Sequence, residues 1–446
     1  MDMSKFAWRN AAAVAMCALT LLSGAQGQER KLTLQEAVDL ALRQNHALRI
    51  GHYGVEAERQ KERIARSSYF PAISNDSSAL YITDLQRIEV PKGAFGASPG
   101  PIPPSTIFLS QGRKSFQTSG TMLAQPLSQL VKIHDANKVA AADVKISEAS
   151  LRKTSDEVVF AVHQLYYQLL ATQLNRRAAE LQITSSSENL TENGEQYKNG
   201  SLLEAALVES RADSLEAKQT LLTTDMQISD LTTQLDDVLG LALNTKLELD
   251  PNVNTTVDVP AREEALRIAS QENPELQGAV QVLSKARAAE AAAKAEYIPD
   301  VTGFARYSYQ NGVPLLERNF GTFGVRFSYD LFDGGKRRAQ VLERKDEVSQ
   351  AEEDLARIKD EIGVRIATIY NKLDTTHAMV EVAKEYLAAR QESARLVDDQ
   401  FHQGTVLASQ RDASHAQAVK AEAGLLEANL AYLLARDELT RVLGRP

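Results

Sequence analysis

The sequence predicts a mainly α-helical protein with a small β part, built as a tandem repeat of helix, strand pair, long helix and returning helix. Three observations carry this. Gly and Pro are sparse, 23 and 13 in 446 residues, and long runs of helix-forming residues lie between them. One short turn is written twice, QYKNGSL at 196–202 and QFHQGTV at 400–406. The segments flanking the turns also match their later counterparts without gaps, the signature of an internal repeat.

The duplicated turn comes first because it interrupts the longest helical runs. Gly200 and Gly404 suit the left-handed conformation that closes a helix, which a residue with a Cβ resists. Ser201 and Thr405 are then expected to cap the following helix, with Ser201-Leu-Leu-Glu204 reading as a capping box.

Outward from the turns the correspondence extends across the chain. At a spacing of 228 residues, Glu36-Ala37 meets Glu264-Ala265, Asn45 meets Asn273, Arg59 meets Arg287 and Pro71 meets Pro299. Past residue 125 the spacing becomes 204: Leu151 meets Leu355, Tyr166 meets Tyr370, and Gly240 meets Gly444. The first copy therefore carries 24 extra residues, among them the Pro- and Gly-rich VPKGAFGASPGPIPPS. That is an enlarged loop. The expected organisation is 28–240 as the first repeat with strands at about 72–125, 241–261 as a linker, and 262–446 as the second repeat with strands at about 300–331.

Each repeat opens with an expected helix (34–67; 262–296) ended by Tyr-x-Pro. A strand pair follows, clearest at Val301, Gly303, Ala305, Tyr307, Tyr309 and at Phe323, Val325, Phe327, Tyr329, Leu331, where apolar and polar residues alternate with period two. In the first copy Ser74-Asn75-Asp76-Ser77-Ser78 is polar on both faces and the signal is weaker. A helix of ~70 residues comes next, about 100 Å at 1.5 Å per residue. Its apolar residues fall at coiled-coil spacing: Leu151, Val158, Val162, Leu165, Leu169, and Leu355, Ile358, Ile362, Ile369. Strands of ~10 residues can cross a bilayer when tilted. Four strands cannot close a barrel, and an open edge is not tolerated in lipid. Several copies must then pool their strands.

The N-terminus reads as a secretory leader over 1–27. Lys5 and Arg9 form its basic start, 11–22 its apolar segment, and Ala25-Gln26-Gly27 the cleavage site. The apolar segment is too short to span a membrane. Cleavage there removes Cys17 and Trp8, the only cysteine and the only tryptophan, which leaves no disulfide or thiol chemistry. The formal net charge is −9, and the acidic excess persists after the cut. That balance disfavours a nucleic-acid partner.

LTLQEAVDLALRQNHALR (32–49), REEALRIASQENPELQ (262–277) and SYDLFDGGKRRAQV (328–341), with the two Gly turns, resemble the recurring motifs of TolC-like outer-membrane efflux proteins. The resemblance covers essentially the whole chain after the leader. It implies a homotrimer with a shared 12-stranded transmembrane β-barrel in the outer membrane and a helical α-barrel in the periplasm, where the linker at 241–261 is equatorial. The implied function is the outer-membrane duct of a tripartite efflux or type I secretion system. The implied partners are outer-membrane lipid, a periplasmic adaptor (membrane fusion) protein and an inner-membrane pump of RND, ABC or MFS type. The adaptor would contact the tips at Tyr197, Asn199, Gly200, Ser201, Phe401, Gly404 and Thr405. Two departures stand out. No lipid-acceptor cysteine is present, since Met16 precedes Cys17. The acidic residue that some relatives carry six places after the tip Gly is replaced by Ala206 and Gln410, so Glu204, Glu209, Gln410 and Asp412 become the aperture candidates.

Other motifs carry no chemistry. Asp333-Gly334-Gly335-Lys336 lacks the first glycine of a phosphate loop and the Ser or Thr after Lys, and reads as a strand-to-helix turn. The seven histidines show no metal-binding spacing, although His402 and His415 lie near the tips. No catalytic constellation, cofactor site or metal site is expected, and so no enzyme. A soluble periplasmic coiled-coil scaffold is the alternative to a channel, but it leaves the alternating strands unexplained. If the leader is cut after Gly27, the purified protein shows no tryptophan emission and binds no thiol reagent. Stoichiometric labelling would refute that cut.

Overall fold

A computed structural model describes residues 30–445 except 86, 98, 111–112, 244, 246, 254–257 and 313–316. The expected leader lies outside the described residues. In chain order the elements are β1 (Arg30–Leu32), α1 (Leu34–Gln44), α2 (His46–Ser67), β2 (Ala72–Tyr81), β3 (Arg87–Val90), β4 (Ile107–Ser110), β5 (Ser115–Pro126), α3 (Leu130–Lys198) and α4 (Glu204–Leu239). Then follow β6 (Leu247–Leu249), α5 (Arg262–Glu272), α6 (Pro274–Ala295), β7 (Asp300–Asn311), β8 (Asn319–Ser328), α7 (Lys336–His402) and α8 (Ala408–Leu443). The chain is mainly helical with few strands. Its described residues divide into two compact units: those within 30–53, 149–277 and 357–445 form one, those within 54–148 and 278–356 the other.

In the first unit the helices lie in the order α4, α3, α8, α7. Arg176 of α3 pairs with Asp225 of α4 at 2.5 Å. Asn175 of α3 donates to Glu427 of α8 at 2.6 Å. Lys372 of α7 pairs with Glu438 of α8 at 2.8 Å. The core between them is aliphatic and aromatic, with Val162, Tyr166, Leu169, Leu235, Leu239 and Leu433 almost completely buried. Tyr166 buries its ring there, and its hydroxyl donates to the Leu32 and Asp250 carbonyls at 2.9 and 2.8 Å. Tyr370 does the same to Pro260.

The opening helix of each copy, expected to be continuous, is broken. Asn45 ends α1 and its side-chain oxygen accepts the Ala47 N–H at 2.9 Å, so it caps α2. Its amide nitrogen reaches the Val238 carbonyl at 2.9 Å. Asn273 repeats the arrangement with the Leu276 N–H and the Val442 carbonyl, and Pro274 occupies the first helical position, where its missing N–H costs nothing. Against each break packs a left-handed glycine. A Cβ on Gly240 (φ +69°) would lie 2.8 Å from the Gln44 carbonyl oxygen, and one on Gly444 (φ +77°) would meet the Glu272 carbonyl.

In the second unit, β2-β5-β7-β8 form an antiparallel four-stranded sheet. Its register puts Ile73, Leu123, Ala305 and Phe323 on one face. Tyr307, Tyr309, Val325 and Phe327 share that face, which carries no charged residue, and Phe323 is 87% exposed. Every charged residue of the four strands (Asp76, Asp300, Arg306, Arg326) falls on the opposite face. The polar run in β2 is accommodated by cross-strand bonds: Asn75 donates to Thr121 and Ser119, and Ser77 to Ser119. The enlarged loop contains the β3–β4 hairpin. Asp333 accepts the Gly335 N–H and both the N–H and Nε–H of Arg337, in the first turn of α7. DGGK is thus a helix-start turn.

Two buried aspartates in the helical unit behave oppositely. Burial pushes the Asp437 carboxyl up, but His163 and Arg436 outweigh it and the net shift is downward; His163 Nδ1 lies 2.8 Å away. Asp156 is 6% exposed, and one of its oxygens has no hydrogen-bond partner. Burial raises it to about 6. A carboxyl whose folded value lies above its unfolded one costs stability as pH rises from about 4 to about 6, and the full cost, about 3 kcal/mol, stands above that window. Asp156→Asn is therefore expected to raise the melting temperature at pH 7.5 and much less at pH 4.5. An equal gain at both pH values would contradict this.

Candidate interface at the helix tips

The two turns lie in the helical unit, where α3 meets α4 and α7 meets α8. Both close their helix in the same way. The Ser201 N–H reaches the Gln196 carbonyl at 2.9 Å and the Gly200 N–H the Tyr197 carbonyl at 3.0 Å. Thr405 to Gln400 and Gly404 to Phe401 repeat these bonds at 3.0 and 2.9 Å. This is a Schellman closure, with Gly200 at φ +72° and Gly404 at φ +74°. The Asn199 N–H completes the last turn of α3 on Glu195.

The expected capping role of Ser201 and Thr405 is corrected here. Glu204 is the first residue of α4, the N-cap is Leu203, and no side chain caps that end. Ser201 sits two residues too early for its hydroxyl to serve the helix that follows. Thr405 turns its hydroxyl backward, donating to the Gln400 carbonyl at 2.9 Å. The N-cap of α8 is likewise Leu407. Leu203 is 80% exposed and Leu407 48%. Each tip thus presents a leucine where a polar cap was expected, three residues past its glycine.

The aperture candidates separate into two kinds. Glu204 and Glu209 are exposed. Gln410 is exposed too, and its side-chain oxygen accepts the Leu407 N–H at 3.4 Å. Asp412 is half-buried and occupied: Arg411 reaches it at 2.7 Å. Beside it lies Glu188 of α3, whose carboxyl is raised above its usual range chiefly by Asp412. The Arg411 guanidinium carbon also sits over the Phe401 ring, 4.5 Å from its centre. Glu192 accepts both the backbone N–H and the hydroxyl of Ser409 at the start of α8, the end of a helix that favours negative charge. His415 is held by Asp398 at 2.9 Å. Among the described residues no cluster of His, Cys, Asp or Glu could hold a metal ion.

Glu188, Glu192, Arg411 and the two leucines were not singled out from the sequence. The leucines had a signal, since Leu203 and Leu407 fall at the same place in both copies of the turn. The acidic residues had none, because their proximity to α8 depends on how the helices pack.

The helical unit is thus built of long paired helices closed by twin Gly turns, and the sheet of the other unit carries one uncharged face. The chain belongs to the outer membrane efflux protein family: the family model matches 37–240 and 265–445. It is a TolC-like chain. It is 24% identical over 80% of its length to Protein CyaE of Bordetella pertussis, covering 72% of that protein. It is 23% identical to the probable efflux pump outer membrane protein TtgC of Pseudomonas putida, over 92% of this chain and 82% of the relative. Among solved structures, the Campylobacter jejuni CmeC outer membrane channel superposes with a TM-score of 0.76 at 15% identity, covering 92% of this chain and 85% of that one. The CusC channel gives 0.71 at 17% identity, covering 93% and 92%. These likenesses show the fold. The family is one of efflux channels, which are not enzymes.

Gly404→Val is expected to strain the turn, because a β-branched residue resists positive φ by about 1–2 kcal/mol. No atom lies within 4 Å of the added Cβ, so the effect is confined to the tip. Hydrogen exchange should quicken around 400–410 while the global melting temperature hardly moves. Loss of the whole fold would contradict a local role.

Proposed function

We propose that this chain is the outer-membrane duct of a tripartite efflux or type I secretion system, acting as a homotrimer. The observation that carries the reading is that each unit ends in two unfinished edges. In the sheet, β2 and β8 each have one side unpaired, and four strands fall short of the eight in the smallest outer-membrane barrels. In the helical unit, α4 and α7 are the outer helices and each exposes an apolar seam. On α4 it runs Val208, Leu215, Leu222, Met226, and on α7 Met379, Val382, Tyr386; Leu222 and Val382 are 70% and 68% exposed. Leu222 lies seven residues past Leu215, and Leu215 seven past Val208, which is the repeat a coiled-coil partner reads. Head-to-tail joining of unlike edges generates a ring. With three copies, the strands form a 12-stranded barrel and the helices an α-barrel.

The uncharged sheet face supports contact with outer-membrane lipid, where an Arg or Lys at mid-depth costs about 2–4 kcal/mol. Among the described residues no helix is long and apolar enough to cross a membrane, so the strands are the segments proposed to span it. This face also argues against the soluble scaffold. We assign 1–27 as an export leader, 28–240 and 262–446 as two structural repeats, and 241–261 as their equatorial linker. The segment around 91–104 then faces the cell exterior. The tips, with Leu203 and Leu407 beside the residues expected for docking, are proposed to meet the adaptor, which links the duct to an inner-membrane pump.

Mass measurement of the detergent-purified protein is expected to give three copies. Leu222→Glu, which puts a charge in the α4 seam, should lower the fraction of trimer without unfolding the helices. A wild type that stays monomeric or dimeric would overturn the reading.

A further inference from the structure

The charged face of the sheet carries more positive than negative charge that is free to act. Asp300 sits at the start of β7 and is held by Lys132 at 3.5 Å. Arg306 lies in mid-strand with its guanidinium spread over Gly120: a Cβ there would meet Nη2 at 2.7 Å. Only a residue without a side chain leaves room for that pose. The Arg326 guanidinium carbon sits over the Phe304 ring, 5.6 Å from its centre. Among the described residues neither guanidinium makes an ion pair, and both are exposed. Asp76 is the single carboxylate left to oppose them on this face.

We propose that Arg306 and Arg326 form anion-binding rings inside the strand barrel, recognising multivalent oxyanions such as phosphate- or carboxylate-bearing solutes. This inference rests on the trimeric channel proposed above. In that assembly the uncharged face meets lipid and the charged face lines the pore, so each arginine is present three times. Arg326 is paired across the sheet with Thr302, four residues from Arg306, so the rings stand about 13 Å apart along the strand. Guanidinium groups bind oxyanions through parallel N–H donors. Low-dielectric walls around a pore concentrate their field. The Phe304 ring and the space over Gly120 hold the two side chains in place.

The test is single-channel recording of the full-length protein in a planar bilayer, with inorganic tripolyphosphate as the probe. Added on the loop side, it is expected to block the wild-type current. Arg306→Ser and Arg326→Ser should each raise the half-blocking concentration about tenfold at 0.1 M salt, and Arg306→Lys should restore part of the block. Trimer mass is measured for every variant, so that loss of assembly is not mistaken for loss of binding. A wild type that conducts but is not blocked, or a double variant blocked as well as the wild type, overturns the proposal. A trimer that forms no conducting pore overturns the channel reading and this inference with it.

Discussion

A strand at the edge of a sheet leaves a row of N–H and C=O groups without partners, and everything else about this chain follows from where those rows are left. β2 and β8 are long edges of 10 residues each. Neither contains a proline or a lysine, the devices that soluble sheets use to blunt an edge. The outer helices repeat the condition in another currency of contact, with apolar seams facing away from their own chain. Backbone edges and side-chain seams demand different partners, hydrogen bonds for one and knobs-into-holes packing for the other. Unlike edges on the two sides of each unit are what a closed ring requires, since the end of one copy must fit the beginning of the next.

Within one copy, a small set of joints sets how far each helix runs. Asn45 and Asn273 each spend one side chain twice, capping a helix with the oxygen and tying a distant carbonyl with the nitrogen. Gly240 and Gly444 close α4 and α8 against those joints, where no side chain fits. The bonds of Tyr166 and Tyr370 then fix the segments that precede α1 and α5. The two halves of the chain share these contacts, although not every buried polar group is matched. Asp437 is answered by His163, Tyr167 and Arg436, while the matching place in the first half is Thr233, which bonds only to its own helix.

Much of this was legible in the sequence, because periodicity and turn chemistry are local. The long helices, the Gly closures and the alternation in β7 and β8 could all be read directly. The misses have different causes. Ser-x-x-Glu at Ser201 has the spacing of a capping box, yet the helix begins later and the box is empty. Thr33-x-x-Glu36 has the same spacing and is a true one, with both reciprocal bonds present. Spacing alone does not separate them, since the closure of the preceding helix decides where the next one starts. The breaks at Asn45 and Asn273 were hidden because helix-forming residues flank them, although Pro274 marked one. The β3–β4 hairpin had a period-two signal in Arg-Ile-Glu-Val, masked by the glycines and prolines around it. The acidic neighbours at the tips depend on packing between helices and had no linear trace.

The charges on the helices show why the seams matter more than the ion pairs. Most of the pairs are local and exposed, such as Arg59 with Glu56, Lys384 with Glu381 and Arg395 with both Glu392 and Asp399. Pairs of this kind, open to solvent and screened by salt, contribute little to stability. A few such increments cannot hold a helix of 67 residues like α7 straight in water. What can is burial of its seam, where a fully covered Val or Leu is worth about 1.5–3 kcal/mol. Along α7 one stripe, with Ile362, Ile366, Ile369 and Leu373, is already buried in its own chain. The other, from Met379 to Tyr386, is not. A helix with one stripe covered and one bare is half of a packing arrangement, and in the proposed trimer a neighbouring copy would cover the second stripe.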